Sequence, residues 1–356
     1  MEFGIALATD SDSWKAVARA EELGFSHAWF YDTQMLTADP FVAMGAAAVK
    51  TSKIRLGTGV LVPSNRIAAS TACAFASLNK LAPGRIDFGV GTGFSARRAM
   101  GQGAIKLSDM AEYIRVVMGL LRDETVETTL EGTRHKIRFL NPDLGLINTR
   151  DPVALHVSAF GPKGMGLTAR LGAGWINFVG NDDVGIAWLR QMQQSWEQAG
   201  RDRADLSAVA FALGCVLEDG EPFDSPRAMA QAGPRAAVML HRAADEALSG
   251  LPNSSPMPPA VADLVNGYVE AAKKFEPADA PYLHNHRGHL MFVKPDERRF
   301  INGELIRMNS FAGTEAAIKQ RIEGLRDAGY TQFTIQLVPG QEQAIEDWAR
   351  VMRAFG

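Results

Sequence analysis

Short apolar runs alternate with amphipathic stretches along most of this chain. Residues 2–8, 27–31, 54–62 and 86–91 are apolar almost throughout, which suits strands buried on both faces. Between them, 13–23, 41–50 and 67–81 carry helical spacing. In the first of these Trp14, Val17, Ala18 and Leu23 form the apolar stripe, and Gly24 stands where a helix C-cap is expected. A helix over 108–122 follows the fourth strand. The rhythm then pauses: 125–139 alternates about Glu131-Gly132, which is hairpin chemistry. It resumes with strands at 154–158, 174–178, 208–216 and 333–337, and with helices at 164–171, 185–199, 314–328 and 344–355.

Eight strand-then-helix units predict an α/β fold, a (β/α)8 TIM barrel with a parallel sheet closed on itself. The chain has 356 residues, and a minimal barrel needs roughly 250. The excess sits in two insertions within a single barrel domain, a hairpin at about 123–151 and a lid-like segment at about 218–311. The centre of the second, LPNSSPMPPA, reads as solvated linker; its later part, YLHNHRGHL at 282–290, is expected to fold over the barrel mouth.

Composition removes several classes of function. At 46% hydrophobic and 22% charged the chain is an ordinary globular one, and a net charge of −3 gives no drive toward nucleic acid or anionic lipid. No apolar run approaches the ~20 residues of a membrane span. The opening MEFGIALATD reads as a strand without a basic leader, so no export signal is expected. Cys73 and Cys215 lie in apolar stretches and read as buried thiols of a reducing, cytoplasmic compartment.

A barrel carries its chemistry at the C-terminal ends of its strands. Here those ends read Tyr31-Asp32-Thr33-Gln34, Thr58-Gly59-Val60, Gly91-Thr92-Gly93-Phe94, Ser158-Ala159-Phe160-Gly161, Phe178-Val179-Gly180-Asn181 and Gln336. They hold no paired carboxylates, no H-x-H or H-E-x-x-H and no G-x-S-x-G, so glycosidase, metal and hydrolase-elbow chemistry lack support. Glycines, small hydroxyls and amides suit instead a large planar cofactor that carries the reaction. Ser158–Gly164 (SAFGPKG) follows a strand and opens a helix; its backbone N–H groups, the helix dipole and Lys163 suit a phosphate, and an ordinary Gly-Pro turn reads equally well. Gly59 inside a strong strand marks a bulge or a close-packed core position. His27 reads as a satisfied histidine and His135 as a solvated one. His284, His286 and His289 lie close together without a matching Cys or carboxylate, so substrate contact from the lid, at His284 and His286, is favoured over metal binding, and no metal is expected.

The runs EFGIAL, EELGFSHAWFYD, KIRLGTGVLVP, SLNKLAPGRIDFGVGTG, EYIRVVMGLLRDETV, SAFGPKGMGLTARLGAGWI and GLRDAGYTQFTIQ together resemble the bacterial-luciferase-like superfamily of flavin- and deazaflavin-dependent oxidoreductases. The resemblance covers about 1–216 and 309–355 and leaves 218–309 out. Within the superfamily the chain is most similar to the coenzyme F420 branch typified by methylenetetrahydromethanopterin reductase. It implies that Asp32 and Thr33 lie beside the redox ring as catalytic residues, and that Thr58, Gly59 and Val60 back the ring through a non-prolyl cis bond at Gly59-Val60. Thr92 and Gly93 would touch the ring or linker, and Ser158, Ala159, Phe160, Gly161, Pro162, Lys163 and Gly164 would hold the phosphate, with Phe178 and Gly180 nearby. The sugar-phosphate dehydrogenases of this family carry Glu after Gly-Thr-Gly, where this chain has Phe94; with Phe30, Phe94 and Phe160 near the mouth, an uncharged or aromatic substrate is expected. The implied activity is hydride transfer between F420 and a small organic molecule. The alternatives are an FMN-dependent monooxygenase and a non-catalytic flavin-binding protein. The resemblance also implies a homodimer.

Overall fold

The computed structural model describes residues 1–251 and 258–355. Eight parallel strands close into one ring: β1 Glu2–Leu7, β2 His27–Phe30, β3 Arg55–Thr58, β4 Ile86–Gly91, β5 Ala154–Ser158, β6 Gly174–Phe178, β7 Ala208–Ala212 and β8 Gln332–Leu337. Each strand pairs with its neighbour in sequence, and β8 returns to β1 from Glu2 against Gln332 to Leu7 against Leu337. The helices in chain order are α1 Trp14–Leu23, α2 Pro40–Lys50, α3 Ala68–Leu81, α4 Phe94–Arg98, α5 Leu107–Leu121, α6 Gly161–Leu171, α7 Asp182–Gln198, α8 Pro226–Gln231, α9 Gly233–Ser249, α10 Ala262–Ala272, α11 Tyr282–Asn285, α12 Gly303–Asn309, α13 Glu315–Ala328 and α14 Ile345–Met352.

Side-chain alternation along a strand divides the apolar residues between two cores. Trp29, Tyr31, Ile176, Val209 and Phe211 fill the barrel interior. Ala28, Phe30, Leu56, Phe88 and Val157 point the other way, into the layer between strands and helices. At the N-terminal end of the barrel Asp87 closes a buried polar knot: Arg55 reaches it with two nitrogens at 2.9 and 2.7 Å, and His27 and His156 stand 3.8 and 3.6 Å away. His27 is thus a buried core histidine, as its sequence context suggests.

Differences from the predicted elements have local causes. α6 starts at Gly161, three residues early, because Pro162 sits in its first turn, where a missing N–H and a fixed φ favour the helix. α7 starts at Asp182 because the Asn181 side chain accepts from Val184 N at 3.1 Å. The run 208–216 is broken at Gly214, where a Cβ would meet Phe311 O at 2.3 Å; Val216–Leu217 then pairs in parallel with Gly313–Thr314. The hairpin forms as expected, Val126–Leu130 against Thr133–Ile137, with both Glu131 and Gly132 at positive φ.

The second insertion is helical. α8 to α10 and α12 gather a core of their own around Leu217, Leu240, Val265, Tyr268 and Leu305. Of the linker reading at LPNSSPMPPA, residues 252–257 lie outside the described residues. Cys73 is exposed on α3, against the expectation that both thiols are buried, because it lies on the outward side of that helix; Cys215 is buried, which pushes its thiol up to about 12.

Candidate active site

The mouth takes its shape from the rim of β3, β4 and β5. Gly59-Val60 is cis, as the resemblance implies. The ladder of β3 stops at Thr58 and resumes in a single bridge from Leu61 to Val90. Between these points Gly59 N donates to Phe30 O at 2.8 Å and Leu61 N to Gly89 O at 2.8 Å. Gly59 has no room for a side chain, since a Cβ would meet Phe211 and Trp29 at 2.9 Å. The half-buried Val60 side chain is therefore the one that the bulge turns to the interior, where it packs, as Phe178 does, against the barrel's inner cluster. Gly91 lies between the bulge and the next strand: a Cβ there would sit 2.7 Å from Val60 Cγ2 and 3.1 Å from Ser158 O. Bulge and SAFGPKG turn thus share one rim, two strand spacings or roughly 10 Å apart.

The turn itself is open. Phe160 is the N-cap of α6 and supplies no capping side chain, and a Cβ on Gly161 (φ 72°) would meet nothing within 4 Å. Gly164 closes the turn against Ala159, whose carbonyl accepts from Trp175 Nε1 at 3.3 Å. Pro162 and Lys163 are exposed, and Lys163 has no ion pair among the described residues. A first helical turn lacking a side-chain cap leaves its N–H groups for an outside acceptor. The donor set fits the phosphate of a flavin or deazaflavin.

Several expected contacts fall elsewhere. Thr58 is fully buried and its hydroxyl donates to Gly89 O at 2.7 Å, so it belongs to the strand ladder rather than to a ligand. Asp32 is buried with both oxygens engaged: Oδ2 accepts from Val62 N and Asn65 Nδ2 at 3.0 Å each, and Oδ1 from Arg66 at 2.9 Å. It clamps the segment that follows the bulge. Thr33 faces Thr37, hydroxyl to hydroxyl at 2.8 Å. Gly93 (φ 84°) starts α4 and packs on Val62, and Thr92 O accepts from Ile105 N. Gly180 is held under the returning insertion, where a Cβ would meet Asn309 O at 2.4 Å.

The aromatic wall also needs correction. Phe30 is fully buried and points outward from the barrel, since its neighbours Trp29 and Tyr31 take the inward parity. Phe160 is 42% exposed but meets Trp175 and Trp188 edge-on at the head of α6. Phe94 is half-buried, with the guanidinium of Arg98 at 3.9 Å and that of Arg242 at 4.5 Å from its ring centre. His284 is engaged with Asp296 at 2.7 Å and stacks near Phe275, on the insertion's own core. His286 is buried against Asp245 at 2.9 Å and lines the cleft beside the mouth.

Two strand-end residues noted in the sequence, Tyr31 and Gln336, and one missed there, Arg235, complete the mouth. Tyr31 donates to Gln336 Oε1 at 2.9 Å, and Gln336 Nε2 donates to Leu290 O at 2.6 Å, which ties the insertion to the end of β8. Burial raises the Tyr31 phenol and keeps it protonated. Arg235, on α9, lies 3.2 Å from the Cβ position of Gly180, and its charge acts on Tyr31. Burial lowers its pKa, and among the described residues it has no carboxylate partner. Nothing in local sequence marks Arg235, because it sits in the stretch the resemblance leaves out. Beside the mouth, a cleft of about 710 Å³ runs between Met35 and Leu36 after β2, Met100 after α4, and Tyr282 and Phe292 of the insertion.

This geometry can be set against known proteins. The luciferase-like monooxygenase family model matches residues 14–332. The chain belongs to that family. The match spans the insertion, which the resemblance had left uncovered. A 5,10-methylenetetrahydromethanopterin reductase of Methanolobus tindarius is 31% identical over 62% of this chain and 67% of its own. A reductase of the same name from Archaeoglobus fulgidus is 26% identical over 93% and 92%. An F420-dependent glucose-6-phosphate dehydrogenase of Beutenbergia cavernae is 38% identical, over only 37% of this chain and 40% of its own. Among solved structures, the coenzyme F420-dependent tetrahydromethanopterin reductase of Methanopyrus kandleri superposes with TM-score 0.65 at 20% identity, covering 98% and 97%. The FMN-bound oxygenating component of 3,6-diketocamphane monooxygenase from Pseudomonas putida superposes with TM-score 0.63 at 14%, covering 94% and 91%. At those identities the two superpositions speak for the fold. No helix among the described residues is long and apolar enough to cross a membrane.

Proposed function

We propose that this luciferase-like oxidoreductase binds coenzyme F420 at the β3–β5 rim and transfers hydride between it and a small organic substrate. One observation carries the reading: the cis bulge at Gly59-Val60 and the uncapped turn at 158–164 stand on the same rim, separated only by the side-chain-free Gly91. Val60 and Phe178 would meet the ring system, Gly91 and Gly93 would leave room for the linker, and Ser158, Gly161, Lys163 and Gly164 would hold the phosphate. When bound, F420 supplies or accepts a hydride at its central ring carbon. FMN would fit the same donor set; the F420-dependent glucose-6-phosphate dehydrogenase, 38% identical over 37% of this chain, favours the deazaflavin.

The chain's own residues then bind and orient. Arg235 is the donor that would hold a substrate oxygen, with Tyr31, whose proton goes to Gln336 Oε1, orienting the mouth beside it, and the insertion would exclude water above them. A cleft lined mainly by apolar side chains, beside a mouth that holds the buried Arg235, favours a largely apolar substrate bearing a carbonyl or hydroxyl oxygen. Asp32 has no free oxygen for proton transfer and acts by holding the loop. The two unpaired thiols agree with a cytoplasmic protein, and the exposed apolar face of α2 and α3 with a homodimer.

Titration of the apo protein with F420 and with FMN, followed by fluorescence, tests the assignment. F420 is expected to bind and FMN not. Lys163→Ala is expected to weaken F420 by about 1.5–3 kcal/mol, the scale of one charge-assisted contact, or roughly 10- to 150-fold. Tight FMN binding without F420 binding would overturn the choice of cofactor, and an unchanged dissociation constant in the variant would remove Lys163 from the site.

A further inference from the structure

Three buried histidines meet where the insertion closes on the barrel. His241 comes from the middle of α9, and His286 and His289 from the turn after α11. They are 1%, 1% and 3% exposed. One ring nitrogen from each lies within 4.8 Å of the others, and His241 Nδ1 stands 2.8 Å from His289 Nδ1. On the other side each ring is held. His241 Nε2 is 3.0 Å from Glu297, His286 Nε2 is 2.9 Å from Asp245, and His289 Nε2 is 3.0 Å from Ser95 Oγ. The two carboxylates are themselves fixed, Glu297 by Lys294 and Asp245 by Arg98, each at 2.7 Å. The remaining ring nitrogen, His286 Nδ1, is buried with no hydrogen-bond partner.

Proton bookkeeping shows what such a cluster lacks. A neutral imidazole has one N–H and one lone pair, and a carboxylate only accepts. His241 and His286 therefore carry their protons on Nε2, toward Glu297 and Asp245, and present lone pairs at Nδ1. His289 can serve His241 by donating from Nδ1 while Ser95 donates to its Nε2. No donor then remains for His286 Nδ1. A protein-only network leaves one buried acceptor unmet, whereas a cation would satisfy all three inward nitrogens at once.

We propose that His241, His286 and His289 bind one divalent transition-metal ion of the zinc class. Three imidazoles select borderline ions over magnesium or calcium, which prefer oxygen. The carboxylates and hydroxyl behind the rings are the partners that fix tautomer and orientation at histidine-metal sites. Zinc–nitrogen bonds of about 2.0–2.1 Å in tetrahedral geometry place nitrogens roughly 3.3 Å apart. His241 and His289 would thus separate slightly on binding, and His286 would draw in. The ion would act as a pin. His289 precedes Leu290, whose carbonyl is held by Gln336 at the end of β8, and Ser95 lies on α4 just beyond Gly93. From the sequence no metal is expected at His284, His286 and His289; the structure instead groups His286 and His289 with His241, 43 residues before His284 in the chain, and leaves His284 with Asp296.

The experiment uses the full chain, stripped with a chelator, reloaded with zinc, gel-filtered and assayed for bound metal by mass spectrometry, with thermal melting in parallel. The expected result is one zinc per chain and a raised Tm. Cobalt(II) in place of zinc is expected to give the visible d–d absorption of a low-symmetry site. His286→Ala should lose the ion and the cobalt band, and His284→Ala should keep both. Ser95→Ala, which leaves the ligands in place, should keep one ion per chain at about 10- to 100-fold weaker affinity; it decides the question if His286→Ala does not fold. Failure of the wild-type chain to retain zinc, or retention by His286→Ala equal to wild type, would overturn the site.

Discussion

Asp32 shows how much a residue's role depends on what its atoms touch. At the end of β2 it occupies the position of an acid or base, but Val62 N, Asn65 and Arg66 take both of its oxygens. Breaking a buried ion pair from one side strands the other charge, which costs about 3–5 kcal/mol. Arg66 keeps Asp39 as a second partner, so Asp32→Ala is expected near the lower end, about 3 kcal/mol in chemical denaturation. F420 affinity and turnover should fall together, because the loop behind the bulge loosens. A variant with full stability and a selective loss of turnover would return Asp32 to a direct chemical role. Arg235 is the opposite case, a plain helical arginine in the sequence that the fold delivers to Tyr31 and Gly180.

At the scale of elements, the barrel was legible because strands buried on both faces leave an uninterrupted apolar run, bounded by glycine and by helices of the right length. β4, β5 and β6 match their predicted ends, 86–91, 154–158 and 174–178. What periodicity misses is parity and distance. Phe30 reads as one more aromatic near the mouth, and only the alternation of Trp29 and Tyr31 into the interior turns it away. The helices of the insertion were hidden because their apolar stripes close on each other around Tyr268 and Leu240, flanking a Pro-rich centre that dominates the composition. The histidine cluster needs a partner from α9 that no local spacing announces. At the other end of the barrel, Asp87 ties β4 to Arg55 of β3 and, more loosely, to His27 of β2 and His156 of β5. Burial alone would raise its carboxyl pKa; the bonds from His156 and Arg55 outweigh that and lower it. A lowered folded-state value means stability that is present above the unfolded value, about 3.9, and is lost as pH falls through the folded one. Asp87→Asn is therefore expected to destabilise the protein at neutral pH and to flatten the fall in Tm below about pH 4. An acid limb as steep as that of the wild type would show that other carboxylates govern it.

For the whole molecule, two groups of exposed apolar side chains have different uses. Met35, Leu283 and Phe292 border the cleft beside the mouth, which the proposed apolar substrate would enter. Val42 and Val49, each 62% exposed, lie seven residues apart on one face of α2, and Ile67 and Leu81 flank α3 beside it. Such a face costs solubility unless it is covered, and a pair of helices offered by each of two copies gives a self-complementary two-fold contact. Cys73 opens on the same helix α3. Light scattering after gel filtration is expected to report a dimer at micromolar concentration, and Val49→Glu a monomer, because a carboxylate buried at a two-fold contact faces its own copy. Thiol labelling gives an independent reading: Cys73 should react slowly in the wild-type dimer and fast in the Val49→Glu monomer, while Cys215 stays inert in both until the chain unfolds. A wild-type monomer, or a dimer in which Cys73 labels as fast as in the variant, would move the contact to another face and leave α2 and α3 to solvent.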